Sequence, residues 1–143
     1  MRAKQILAAI ALLALAATAA WAQLALRPGK YNVTMELTLP GAPISNTQED
    51  TDCLTPEDAK DLVKAMMREL TSESSCSASN VKQAGNKLTF DAACTIQGNV
   101  VSSATELTIT SDTAYTAVMQ VNAAGVNTQL KIAGKWAGAT CTE

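Results

Sequence analysis

Histidine is absent from the chain. That removes Ser-His-Asp and Cys-His nucleophile systems, histidine-bound zinc and any imidazole pH switch. Aromatic residues are scarce: past residue 22 only Tyr31, Phe90, Tyr115 and Trp136 remain, too few to build a stacking platform for bases or sugars. An excess of positive charge is missing as well. Setting aside Arg2 and Lys4, nine Lys and Arg stand against thirteen Asp and Glu, which leaves no footprint for nucleic acid or an anionic membrane surface. No Cys-x-x-Cys pair occurs, so a thiolate metal site is disfavoured. The acidic group Glu49, Asp50 and Asp52 lacks the oxygen-ligand spacing of a calcium loop.

What is present begins with an export signal. Arg2 and Lys4 supply a positive start, Ile6 to Ala17 a short apolar region, and Ala20-Trp21-Ala22 a small-x-small cleavage site. Met1–Ala22 is expected to be a signal peptide cut between Ala22 and Gln23. The apolar run is too short for a comfortable membrane span and no second run follows, so the mature form carries no integral anchor. No cysteine stands at the cleavage site for lipid attachment. Removing 22 of 143 residues leaves 121, enough for one domain, 23–143, with its own core.

One convincing helix is predicted, from Cys53 to Leu70. Thr55 can cap it, Pro56 suits its first position, and Glu57 and Asp58 place negative charge at its N-terminus. Ala59, Leu62, Val63, Met66 and Leu70 then recur at three- and four-residue spacing and make one apolar stripe. Lys60, Asp61, Lys64, Arg68 and Glu69 fall mostly outside it.

The rest reads as strand. Tyr31, Val33, Met35, Leu37 and Leu39 alternate with polar residues, the pattern of a half-buried antiparallel strand. Ile44 to Asp52 reads as a returning strand, polar on both faces and suited to a sheet edge. After the helix, a hairpin is expected with Ala84-Gly85-Asn86 as a three-residue turn. Three further alternating segments follow, through Leu107 and Ile109, through Tyr115, Ala117, Met119 and Val121, and through Val126 to Trp136.

All four cysteines follow the signal, and an even count in an exported chain reads as two disulfides. Cys76 and Cys94 each lie nine residues from Gly85, so the hairpin sets them opposite one another at bonding range. Cys53 and Cys141 are left to pair, pinning the helix entrance to the chain's end. The expected architecture is α+β: a curved antiparallel β-sheet or partial barrel of about seven strands, a meander in its C-terminal half. One α-helix packs on the concave face.

Four segments carry a resemblance to a known group: Leu26-Arg27-Pro28-Gly29-Lys30-Tyr31-Asn32-Val33; Cys53-Leu54-Thr55-Pro56-Glu57; Cys76 and Cys94 flanking a Gly-Asn hairpin; and Ile132-x-Gly134-Lys135-Trp136-x-Gly138-x-x-Cys141. In this order they resemble the exported bacterial domain-of-unknown-function family 3617. The resemblance implies a location in the periplasm of a Gram-negative cell. It carries no established activity, so it transfers no catalytic residue.

The functional expectation is a non-catalytic periplasmic module without cofactor or metal, binding a partner protein or a small apolar ligand. Many inward positions are Ala, Val, Thr or Met, so either the helix fills the sheet's concavity or a space remains there. Met35, Met66, Phe90 and Met119 are the candidate ligand-facing residues. A purely structural role, or an envelope-stress role using the edge strand Ile44 to Asp52 for strand addition, is the alternative. An enzyme would have to draw on Glu36, Asp91, Glu106, Asp112, Lys131 or Lys135. All but Asp112 share the parity of the polar face.

Overall fold

The computed structural model describes residues 25–41, 46–70 and 75–142. The expected leader Met1–Ala22, its cleavage site at Ala22 and Gln23, and the expected strand start at Ile44 lie outside those residues. Seven strands form one antiparallel sheet: β1 (Gly29–Thr38), β2 (Asn46–Leu54), β3 (Ser75–Ala84), β4 (Lys87–Ile96), β5 (Asn99–Ser111), β6 (Ala114–Ala123) and β7 (Val126–Gly138). Their spatial order is β2-β1-β7-β6-β5-β4-β3. The last five strands form the meander that their short turns demand, and β7 closes back onto β1. The sheet is open, with β2 and β3 as its two edges. The chain between those edges crosses one face of the sheet and carries the helical segment.

That segment is two helices, α1 (Pro56–Lys60) and α2 (Leu62–Leu70), where the stripe predicts one. The break falls at Asp61, whose φ of −143° and ψ of 84° are not helical. Its backbone N–H closes α1 by donating to the Asp58 carbonyl at 3.1 Å. Its side chain then accepts from the Lys64 backbone N–H at 3.0 Å, and its carbonyl accepts from Ala65 at 3.0 Å. An Asp able to bond the backbone two to three residues on competes with helix continuation and acts as an N-cap. At the start of α1 Thr55 caps the helix as expected, and with Asp58 it forms a full capping box. Asp58 N–H donates to Thr55 Oγ1 at 3.1 Å, and Thr55 N–H donates back to the Asp58 carboxylate at 3.3 Å.

Both disulfides pair as the spacing indicates, Cys53 with Cys141 and Cys76 with Cys94. The route to the second differs from the expectation. The hairpin turn has two residues, Gly85 and Asn86, with Ala84 opposite Lys87. That register alone would place Cys76 opposite Thr95. A β-bulge between Ser79 and Lys82 absorbs one residue, and beyond it Cys76 faces Cys94. Asn80 occupies the bulge at φ +53°, a conformation Asn tolerates, and its side-chain amide donates to Asp91 at 2.7 Å.

Directly opposed residues of an antiparallel pair point to the same side of the sheet. Following the register across the sheet, Val33 stands beside Gly134 and Tyr115, and Met35 beside Ile132, Ala117 and Leu107. This face holds the core: Tyr31, Val33, Phe90, Ala92, Cys94, Leu107, Ile109, Ala117 and Met119 are all buried. Leu37 and Leu39, which continue the β1 alternation, stay exposed at its end.

Three of the four segments carrying the family resemblance meet at one corner of the sheet, while the hairpin of Cys76 and Cys94 lies at the opposite edge. Tyr31, only 1 % exposed, donates its hydroxyl to the Arg27 carbonyl at 2.7 Å. Trp136 Nε1 donates to the Pro28 carbonyl at 3.1 Å, while the Arg27 guanidinium lies 5.2 Å from the Trp136 ring centroid. Arg27 also pairs with Asp112 at 2.6 Å across the turn joining β5 and β6. These contacts fasten the lead-in to the sheet.

Candidate functional site

The helices do not fill the face they cross. A cavity of about 410 Å³ lies between them and the sheet. Its floor is Val33 and Met35 of β1, Leu107 of β5, Ala117 and Met119 of β6, and Leu130 and Ile132 of β7. Its roof is Leu62, Ala65 and Met66 of α2, the first and last of them from the apolar stripe. The origin of the space is visible in the residues. Ala117 and Ala65 are short where a close-packed interface would need bulk, and none of Leu62 to Arg68 reaches full burial. Predominantly apolar walls of this kind suit an apolar guest.

Two polar features border the apolar floor. Tyr115 packs its ring against Tyr31 at a centroid distance of 5.7 Å, and the ring lies over Gly134, where a Cβ would strike it. Burial pushes the Tyr115 hydroxyl up to about 12, with the charge of Asp52 and the neighbouring Tyr31 adding to the effect. Burial likewise raises Tyr31. Both phenols therefore stay protonated across ordinary pH, and Tyr115 lines the cavity wall.

The rim is charged. β2 pairs with β1 so that Asp52 opposes Tyr31 and Asp50 opposes Val33. Both carboxylates thus stand on the cavity side of the sheet and line it. Their oxygens accept from the next backbone N–H, Asp50 from Thr51 at 2.7 Å and Asp52 from Cys53 at 2.7 Å. On the helix side, buried Asp58 receives both guanidinium nitrogens of Arg68 at 2.8 and 2.9 Å. The Arg68 and Thr55 hydrogen bonds hold the Asp58 carboxyl down to about 2.

Of the four residues expected to face a ligand, Met35, Met66 and Met119 line this cavity. Phe90 does not: it is buried on the same face but belongs to β4, none of whose residues line the cavity. Alternation through Tyr115, Ala117 and Met119 marked the right face of β6, so parity alone could have added Tyr115 and Ala117. Asp50, Asp52 and the Arg68 pairing left no such signal, because a strand polar on both faces does not reveal its register. The candidate acid–base residues are dispersed. Glu36 opposes Lys131, Glu106 pairs with Lys87 at 3.0 Å, Asp91 accepts from Asn80 and Asp112 binds Arg27. None of them, nor Lys135, lines the cavity. Among the described residues no group of His, Cys, Asp and Glu is placed to hold a metal ion, and no helix is long and apolar enough to cross a membrane.

Comparison with known proteins adds a family match. Residues 26–141 match the family model described as "Protein of unknown function (DUF3617)". The chain belongs to this family. No curated protein and no solved structure matches it. The matched DUF3617 span runs from Leu26, ahead of β1, to Cys141 of the second disulfide, so it takes in the whole sheet, both helices and the cavity between them.

Proposed function

We propose that this protein is a non-catalytic binding module for a small apolar ligand, held between α2 and the sheet, and that it works in the periplasm after removal of Met1–Ala22. The observation that carries the reading is the 410 Å³ apolar cavity itself. Its size falls within the roughly 300–1,000 Å³ of small-molecule sites. A purely structural domain would bring the stripe of α2 into contact with the floor, whereas here Leu62, Ala65 and Met66 of the roof and Met35, Leu130 and Ile132 of the floor keep partial exposure. Two disulfides suit an oxidising compartment.

Binding is tested with N-phenyl-1-naphthylamine, whose fluorescence rises in an apolar site. Saturable enhancement at one probe per chain is the expected result, and Ala117→Trp, which fills the floor, should abolish it. Ala65→Leu, a milder filling from the roof, should weaken it without loss of the fold. A wild-type protein giving no saturable signal sinks the reading. Export is tested by the mass of the protein in the periplasmic fraction, which should be that of a chain starting at Gln23.

A second reading, strand addition by a partner protein, is supported by β2. It is a sheet edge along its length, and every residue from Asn46 to Cys53 is exposed. Glu49, Asp50 and Asp52 oppose that use, since charge on an edge discourages pairing.

A further inference from the structure

The charges around the cavity are unequal. Its lining includes three carboxylates, Asp50, Asp52 and Asp58, and one cation, Arg68. Arg68 is committed to Asp58 through both terminal nitrogens, so that pair presents little net charge to a guest. Asp50 and Asp52 have no ion-pair partner among the described residues. Both are exposed while also lining the cavity, which locates the opening to solvent along β2. An apolar interior with a mouth carrying two uncompensated carboxylates has a definite chemical complement. The Tyr115 hydroxyl nearby feels the charge of Asp52 and does not offset it, because a phenol held protonated is neutral.

We infer that the cavity selects a single-tailed amphiphile with a positively charged head group, an alkylammonium-type compound. Its tail lies against Ala117, Met119 and Met66, and its head meets Asp50 and Asp52 at the rim. This rests on the binding reading above and adds the head group to it. An anionic head, as of a fatty acid, would meet two like charges and find the one local guanidinium occupied. A neutral head would gain the tail contribution alone. The charge term is modest because both carboxylates are solvated, so it sets preference among amphiphiles more than it sets affinity.

Displacement of N-phenyl-1-naphthylamine by decylammonium, decanol and decanoate, each below its micellar concentration at neutral pH and low salt, separates the terms. Decylammonium should displace the probe at about one tenth the concentration of decanoate, with decanol between them. In the double variant Asp50→Asn with Asp52→Asn the three should converge to within about twofold while decanol stays unchanged. Asn retains an oxygen for the Thr51 and Cys53 backbone N–H groups, so the fold is preserved, which an unchanged thermal melt verifies. Decanoate equal to or tighter than decylammonium overturns the head-group inference, as does a ranking that survives in the double variant. If all three bind alike, the head-group inference fails and the apolar site stands. If none displaces the probe and the probe itself does not saturate, both fall together.

Discussion

Asp58 and Arg68 lie ten residues apart, on either side of the helix break at Asp61, and meet in a two-point ion pair at 2.8 and 2.9 Å. The pair ties the short α1 to α2 and fixes how the roof of the cavity is hung. Asp58 also completes the capping box with Thr55, so one buried carboxylate joins the cap, the break and the roof. Its folded pKa, about 2, lies below the unfolded value of about 3.9. The stabilisation is therefore fully present above pH about 4 and is lost as pH falls towards 2. Asp58→Asn should flatten the thermal-melt profile over that window. Arg68→Ala should speed amide exchange in Pro56–Leu70 while leaving β5 and β6 protected. Unchanged exchange in the helices would show that the pair does not hold the roof.

Gly134 and Tyr115 are directly opposed on β7 and β6. A Cβ at position 134 would collide with the Tyr115 ring, and Gly134 is not at positive φ, so Ala there tests sterics without backbone strain. Gly134→Ala should destabilise by about 1–3 kcal/mol, the usual range for overpacking. In a Tyr115→Leu background the same change should cost less than 1 kcal/mol, giving a coupling energy in a double-mutant cycle by urea denaturation. Additive effects would mean that the ring and the glycine are independent.

These residues show how far the chain's own pattern reaches. Period-two alternation identified β1, β4, β6 and β7 and the face each buries, because every one has a buried and a wet side. Cysteine spacing named both disulfides. It did so with the bulge unseen, because Asn80 in a left-handed conformation leaves no mark on alternation. The break at Asp61 was written in residue type, an N-capping Asp just ahead of Leu62-Val63-Lys64, but an uninterrupted apolar stripe outweighed it. Whether the helix fills the concavity or leaves a space was undecided for a different reason. Small residues on facing elements make a void only when the backbones keep their distance, and that distance is a property of the assembled fold. The inward orientation of Asp50 and Asp52 was likewise fixed by register with Val33 and Tyr31, not by any pattern within β2.

Thr105 has a buried hydroxyl, 3 % exposed, without a hydrogen-bond partner among the described residues. It stands opposite Phe90 and Met119 in an otherwise apolar part of the face. Thr105→Val keeps the β-branched shape and removes the desolvated hydroxyl, so it should stabilise by about 1 kcal/mol in chemical denaturation. A loss of stability of that size would reveal a partner for the hydroxyl.

The two disulfides close loops of very different length, with sequence separations of 88 and 18. Chain-entropy reasoning assigns about 4.5 kcal/mol to the first and about 3 kcal/mol to the second. Replacing Cys53 and Cys141 together by Ser should therefore lower the urea midpoint more than replacing Cys76 and Cys94. It should also loosen β2, whose far side has no strand partner among the described residues. The reverse order would place the main contribution in the β3–β4 hairpin.

The chain contains only two tyrosines, Tyr31 and Tyr115, and both are raised by burial, Tyr115 to about 12. A free tyrosine titrates near 10. With a folded pKa above the unfolded one, the contribution of neutral Tyr115 to stability is complete below pH about 10 and is lost as pH rises through about 12. Absorbance at 295 nm should therefore stay flat through pH 10, then rise together with the loss of far-ultraviolet circular dichroism as the sheet opens. In Tyr31→Phe the remaining phenol is Tyr115 alone, and its titration should still be delayed beyond pH 11. A transition near pH 10 in a folded protein would show that the Tyr115 hydroxyl is freely solvated, and the cavity wall would then be wetter than its lining implies.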